Sequence, residues 1–266
     1  MPELPEVEVV RQGLEKILES KPVLKKVELK RPDLREPIPI KQIRKLEGQP
    51  IIRVERRAKY LILWTPKGGM LSHLGMTGTW RVAPKGDERL HDHIYLYFDN
   101  GLRLAYRDPR RFGYFDHIEK LDSHPKLDHL GPEPLGRGFS GQSLWQSLRG
   151  KKVALMDQKI VVGVGNIYAS EALYAAGIKP HLVAEKLSEE RANQVVVEIK
   201  RILKLSIRRG GSSISDFAQA TGDSGYFQNE FKVYGREGEP CSVCKKAIKA
   251  IVMGGRNTFW CPHCQK

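Results

Sequence analysis

Four cysteines in 266 residues are far too few for a disulfide-braced secreted scaffold. No apolar run approaches the ~18 residues needed to cross a bilayer, so the chain is expected to have no membrane segment. It opens MPELPEVEVV, acidic where a secretory signal would be basic, which points to the cytosol. There is no internal repeat and no low-complexity tract, excluding solenoids and collagen-like or largely disordered chains. Acidic residues are also in deficit: 31 Asp and Glu face 45 Lys and Arg, a formal charge of +14. That balance suits a polyanionic partner, because phosphate neutralisation dominates nucleic-acid affinity; a basic surface of no particular purpose is the competing reading. At 40% hydrophobic and 29% charged, the remainder is an ordinary globular composition.

Val7, Val10, Leu14 and Ile17 recur at spacings of three and four and predict a helix over 4–18, with Pro2 and Pro5 before or at its opening. From about 24 to 118 the pattern becomes short β runs: Ile51–Val54, Tyr60–Trp64, His93–Phe98 and Leu102–Tyr106, the last two joined by Asn100-Gly101, a hairpin signal. A β-sandwich or barrel with the first helix packed on it is expected. Residues 121–138, rich in Pro, Gly and His, look like a linker. Helices follow at Leu144–Leu148, Ile167–Ala176 and Leu187–Ile207, the last stopped by Gly210-Gly211.

Cys241-x-x-Cys244 and Cys261-x-x-Cys264 stand sixteen residues apart, the spacing of a tetrahedral four-thiolate structural zinc site. Two disulfides or a redox dithiol are the alternatives. A closed sulfur shell leaves no open coordination position, so such a metal would hold structure. Between the pairs lies hairpin-length chain with Gly254-Gly255-Arg256 near its middle; Arg256 is either a phosphate clamp on a rigid turn or a solvated arginine.

Loss of Met1 would leave Pro2 as a secondary amine. An α-amino group titrates near ~7.7–8.0, so much of it is a free nucleophile at physiological pH, able to form an iminium at a sugar C1′. Glu3 and Glu6 supply carboxylates for proton transfer. Proline followed by acids is equally ordinary helix-start chemistry.

Several segments taken together resemble the bacterial formamidopyrimidine-DNA glycosylase family, which repairs 8-oxoguanine. They are Pro2-Glu3-Leu4-Pro5-Glu6-Val7-Glu8, Arg56-Arg57-Ala58-Lys59-Tyr60-Leu61, His73-Leu74-Gly75-Met76-Thr77-Gly78 and Asp108-Pro109-Arg110-Arg111-Phe112-Gly113. Further on come Leu130-Gly131-Pro132-Glu133-Pro134-Leu135, Leu155-Met156-Asp157-Gln158-Lys159, Gly163–Glu171 and the cysteine hairpin with Arg256. In order, they cover essentially the whole chain.

The resemblance implies an α+β chain with a catalytic β-sandwich (1–130) carrying the N-terminal helix, a helical helix–two-turns–helix domain (131–226) and a zinc hairpin (227–266). It implies an enzyme, a bifunctional glycosylase and abasic-site lyase for oxidised purines in duplex DNA, with one structural zinc ion; a monomer is expected, since nothing in the sequence suggests an oligomerisation surface. Pro2 is the implied nucleophile and Glu3 its proton-transfer partner. Lys59 and Arg256 are implied to contact phosphate and assist elimination. Met76, Arg110 and Phe112 would fill the space left by an extruded nucleotide. Apart from the resemblance, Met76 and Phe112 read as core, Arg110 as an ion-pair partner and Asn166 as a helix cap. His73, His91 and Asn166 are implied near the DNA backbone, with Lys151 or Lys152, between which the sequence does not choose. The stretch 221–227 corresponds to a lesion-capping loop in which some members carry lysine where this chain has Asp223, so ranking among oxidised purines does not transfer. Leu4 and the Met76, Arg110 and Phe112 set favour the purine enzyme over the endonuclease VIII type. The remaining rival, a zinc-stapled DNA-binding module without catalysis, gives no reason for Pro2-Glu3 and Lys59.

Overall fold

The computed structural model describes residues 2–149, 155–212 and 225–266, which form two compact units. The first comprises the described residues of 1–128 and 209–226, the second those of 129–208 and 227–266. No helix among the described residues is long and apolar enough to cross a membrane.

In the first unit, α1 (Leu4–Ile17) buries Leu4, Val7, Val10 and Leu14 along one stripe, laid against two neighbouring strands, β2 (Arg53–Arg57) and β3 (Tyr60–Thr65). Each such side chain contributes about 1.5–3 kcal/mol when fully buried. The β1 strand (Leu24–Leu29) follows α1, a single helical turn α2 (Ile40–Ile43) precedes β2, and β4 (Gly68–His73) through β8 (Tyr114–Ile118) complete two antiparallel sheets. β5 is Thr79–Val82, β6 Asp92–Phe98 and β7 Arg103–Arg107; the strand orders are β1-β6-β7-β5 and β2-β3-β4-β8. Leu61, Leu63, Trp80, Ile94, Leu96, Leu104, Tyr106 and Phe115 share one core with the α1 stripe. β3 is buried on both faces, which explains its unbroken run Leu61-Ile62-Leu63-Trp64.

The apolar run Ile51–Val54 predicts a strand that the structure shifts to Arg53–Arg57. Pairing begins at Arg53 opposite Trp64 and runs to Arg57 opposite Tyr60, because a tight turn at Ala58-Lys59 sets the register. The charged residues are tolerated because one edge meets solvent and Glu55 accepts the Trp64 indole N–H at 2.7 Å. The Asn100-Gly101 hairpin is present, closed by the Asn100 side chain accepting from Leu102 N at 3.0 Å.

In the second unit, α3 (Gly141–Leu148) starts from a capping box between Ser140 and Ser143. It packs on α5 (Glu189–Arg208), which also receives α4 (Asn166–Ala175). Val195, Val196, Ile199, Ile202 and Leu203 form the inward face of α5, and the helix ends two residues before Gly210-Gly211. β9 (Lys249–Met253) and β10 (Arg256–Trp260) make the terminal hairpin. Gly254 and Gly255 both have positive φ, +55° and +73°, as a two-residue type I′ turn requires.

Candidate active site and metal centre

Pro2 and Glu3 are buried at the tip of α1. Glu3 caps the helix in a reciprocal box: its side chain accepts from Glu6 N, and Glu3 N donates to Glu6 Oε2 at 2.9 Å. The helix-start reading of this pair is present in the structure, and the carboxylate that caps the helix belongs to the residue next to Pro2. The other Glu6 oxygen accepts from the backbone N and the hydroxyl of Ser212, each at 2.8 Å. A buried carboxylate on three donors fixes the position of the helix tip.

Lys59 is buried on the turn between β2 and β3, whose leading residue, Ala58, holds φ +53°. That is a left-handed conformation costing a β-carbon residue roughly 1–2 kcal/mol. Arg56 holds the turn in place, donating to Glu8 Oε2 on α1 at 2.9 Å and to the Ala58 carbonyl at 2.8 Å. The turn that bears Lys59 is thus tied to the helix that bears Pro2 and Glu3. No role for this arginine is readable from the sequence beyond its place in an Arg-Arg pair just ahead of a hairpin turn.

His73 pairs with Tyr60 across β3 and β4, rings 4.8 Å apart. Burial, with the positive charges of Lys59 and Arg35, pushes its imidazole down to about 4. Its Nδ1 accepts from Gly75 N at 2.9 Å, which puts the proton of the neutral ring on Nε2. An unfolded histidine titrates near ~6.5, so His73 stabilises the fold above that pH and the contribution is lost as pH falls through about 4. Between pH 7 and 5 the wild type should therefore lose more stability in urea than His73→Asn, whose amide oxygen can keep the Gly75 bond. His91 sits at the other sheet with φ +72°, its carbonyl accepting from Asp108 N at 3.0 Å.

Met76 and Phe112, which read as core residues when taken alone, are 38% and 43% exposed. Their loops lie backbone against backbone. Gly75 has φ +62°, and a Cβ there would overlap the Phe112 carbonyl; one at Gly78 or Gly113 would overlap the buried Tyr106 hydroxyl. Asp108, fully buried, accepts from Thr77 Oγ1 at 2.6 Å and Gly113 N at 2.8 Å, joining the loops. Arg110 makes no ion pair among the described residues and instead lies 4.7 Å over the Phe112 ring. A thioether, a guanidinium and an aromatic ring are thus presented together on the surface of one unit. Gly75→Ala should cost at least the about 1–3 kcal/mol of an overpacked site, measured by thermal unfolding.

In the second unit the residue capping α4 is Gly165, which corrects the expectation that Asn166 is the cap. Asn166 is the first helical residue, and its Nδ2 donates to the Asn257 carbonyl at 2.7 Å. Gly165 fits because the cap backbone is extended, with ψ −160°, and the amide is committed to the hairpin. Arg256, next to Asn257 and exposed, directs Nη1 toward Met156 Sδ at 3.9 Å. The hairpin arginine and the start of α4 are therefore held side by side. Lys151, Lys152 and Asp223 lie outside the described residues.

The four cysteine sulfurs lie within 4.8 Å of one another, Cys241 to Cys264 at 3.9 Å and Cys244 to Cys261 at 3.4 Å. Disulfide sulfurs would be about 2.05 Å apart, whereas a tetrahedral zinc with bonds near 2.3 Å sets thiolates about 3.8 Å apart. Burial opposes the Cys241 thiolate, but donation from the Tyr174 hydroxyl and from the backbone of Cys244 and Val243 brings it down to about 6. The set fits one structural zinc ion and leaves it no open position.

Three family models match in sequence order: the formamidopyrimidine-DNA glycosylase N-terminal domain over residues 1–115, its H2TH domain over 130–218, and the zinc finger found in FPG and IleRS over 238–266. The chain is 70% identical over 270 residues to the formamidopyrimidine-DNA glycosylase of Bdellovibrio bacteriovorus and 48% identical over 273 to that of Cronobacter sakazakii, with 100% of each chain covered. Among solved structures, the MutM (Fpg) protein of Thermus thermophilus superposes with a TM-score of 0.89 at 36% identity, covering 99% of this chain and 98% of that one. The Lactococcus lactis Fpg (MutM) complex with Fapy-dG containing DNA superposes at 0.88 and 35%, covering 99% of this chain and 100% of that one. The same order of domains, the same fold and this identity across the full length lead to one assignment: the chain belongs to the formamidopyrimidine-DNA glycosylase family.

Proposed function

We infer that the chain is a bifunctional DNA glycosylase and abasic-site lyase that removes oxidised purines from duplex DNA in base excision repair. The observation that carries this reading is the Pro2-Glu3 pair, buried and capped at the tip of α1, in one unit with the anchored Lys59 turn and the exposed Met76, Arg110 and Phe112 group. Nitrogen of an unblocked Pro2 attacks C1′ of the damaged nucleotide; the C1′–N bond breaks and the base leaves with a proton. Glu3 is the group that moves protons at the opening sugar. The resulting iminium acidifies C2′, so loss of that proton expels the 3′ phosphate, and a second elimination expels the 5′ phosphate. Lys59 and Arg256 meet the flanking phosphates and assist these departures. Met76, Arg110 and Phe112 take the volume of the extruded nucleotide, Arg110 facing the orphaned base with its donors.

Asn166 with the start of α4, one of Lys151 and Lys152, His73 and His91 are assigned to backbone contacts. With His73 neutral, its Nε2–H is a donor suited to a phosphate oxygen. Zinc supports the Arg256 hairpin and takes no part in the chemistry. The functional division is 1–130, 131–226 and 227–266, and the enzyme works as a monomer in the cytoplasm, with the chromosome.

Sodium borohydride trapping on an 8-oxoguanine:cytosine duplex tests the reading. A covalent protein–DNA adduct together with strand cleavage is expected, and faster than on a thymine-glycol duplex. Binding with neither adduct nor cleavage would reduce the chain to a DNA-binding module. Affinity should also fall by orders of magnitude between about 50 and 200 mM salt, as for any protein held by several phosphates.

A further inference from the structure

One zinc ligand has a hydrogen-bond partner from outside the cysteine-bearing segment. Tyr174, near the end of α4, places Oη 3.2 Å from Cys241 Sγ. A metal-bound cysteine is a thiolate with no proton to give, so the phenol is the donor. The geometry is fixed from both sides. The Tyr174 ring packs against Val233, Cys241, Ile248 and Cys261 in a small core of their own. One turn earlier on α4, the buried carboxylate of Glu171 accepts from the backbone N of Lys232, Val233 and Tyr234 at 2.9–3.0 Å, pinning to the helix the chain that leads into the knuckle. A cleft of about 470 Å³ lined by Tyr174, Ser242 and Val243 opens there, with Val243 73% exposed. The rim of the knuckle is therefore open on the side on which the phenol stands, with Cys241 itself buried behind it.

We propose that Tyr174 is a positioning residue of the metal centre: its hydroxyl donates to the Cys241 thiolate, lowers the nucleophilicity of that sulfur and so slows removal of the ion by electrophiles. The proposal rests on zinc occupying the cysteine cluster and is independent of the glycosylase chemistry. Partners that orient and tune metal ligands in this way shape both affinity and reactivity.

The test uses the full-length, zinc-loaded protein and Tyr174→Phe, which keeps the ring. Iodoacetamide supplies the electrophile: sulfur attacks its methylene carbon, a C–S bond forms, the C–I bond breaks, iodide leaves, and the neutral thioether lets zinc go. Zinc captured by a chromogenic chelator should appear about three- to tenfold faster in the variant, the scale of one ordinary hydrogen bond. In the cobalt-substituted proteins the sulfur-to-cobalt charge-transfer band should move to lower energy in the variant, because a thiolate without its donor holds its electrons less tightly. Site-specific 3-fluorotyrosine at 174, a stronger donor, should move both readouts the opposite way and serves if Tyr174→Phe folds poorly. An unchanged release rate overturns the proposal. So does faster release with an unmoved band, which would make Tyr174 a packing residue only.

Discussion

A chain carrying Gly-Ser ahead of Pro2 should form no borohydride-trappable adduct and should lose excision by at least about 10³-fold, on the scale of removing a catalytic group. Acylation turns the secondary amine into an amide, whose nitrogen lone pair is delocalised into the carbonyl and cannot attack carbon. Folding should be untouched. The helix start rests on Glu3 N, the Glu3 and Glu6 side chains and Ser212, none of which involves the proline nitrogen. Unfolding temperature and affinity for undamaged duplex should therefore match the processed protein, leaving chemistry as the only loss. Single-turnover excision of 8-oxoguanine by the two forms is the measurement; rates within about tenfold of each other would remove Pro2 from the mechanism.

Cys244→Ser is expected to release zinc and unfold the segment 238–266 while the first unit stays folded. Cys241, Ile248 and Cys261, packed with Val233 just ahead of the segment, are nearly all its buried apolar core, too little to hold a two-stranded hairpin without the metal. Structural zinc supplies about 10–16 kcal/mol in small domains of this kind. With the hairpin goes the Asn166-to-Asn257 bond, so Arg256 and the start of α4 are no longer held together. Loss of one charged contact to phosphate, about 1.5–3 kcal/mol, corresponds to a roughly 10- to 150-fold drop in DNA affinity. Titration of an abasic-site duplex at fixed salt measures it. Unchanged affinity would show that the hairpin takes no part in binding.

The sequence reveals those parts of the architecture that rest on local periodicity. The α1 stripe, the α5 face and the Asn100-Gly101 hairpin are encoded within a few residues of where they act, and the cysteine spacing encodes a tetrahedron directly. The Ile51–Val54 strand was misplaced because its register is set by the turn at Ala58-Lys59, downstream of the apolar run. Apart from the resemblance, the exposure of Met76 and Phe112 is not legible either. Composition marks them as core, whereas the structure sets their loops against each other at Gly75 and Phe112, with both side chains exposed. Asparagine at a helix start suggests a cap, but the partner of Asn166, Asn257, is 91 residues away. The roles of Arg56, Glu171 and Tyr174 are not legible locally, because each acts through a partner distant in the chain.

The bonds from Glu6 to Ser212 join residues 206 positions apart. On a growing chain the α1 stripe can pack on β2 and β3 as soon as these strands are made, whereas the last restraint on the helix tip waits for a residue near the far end of the chain.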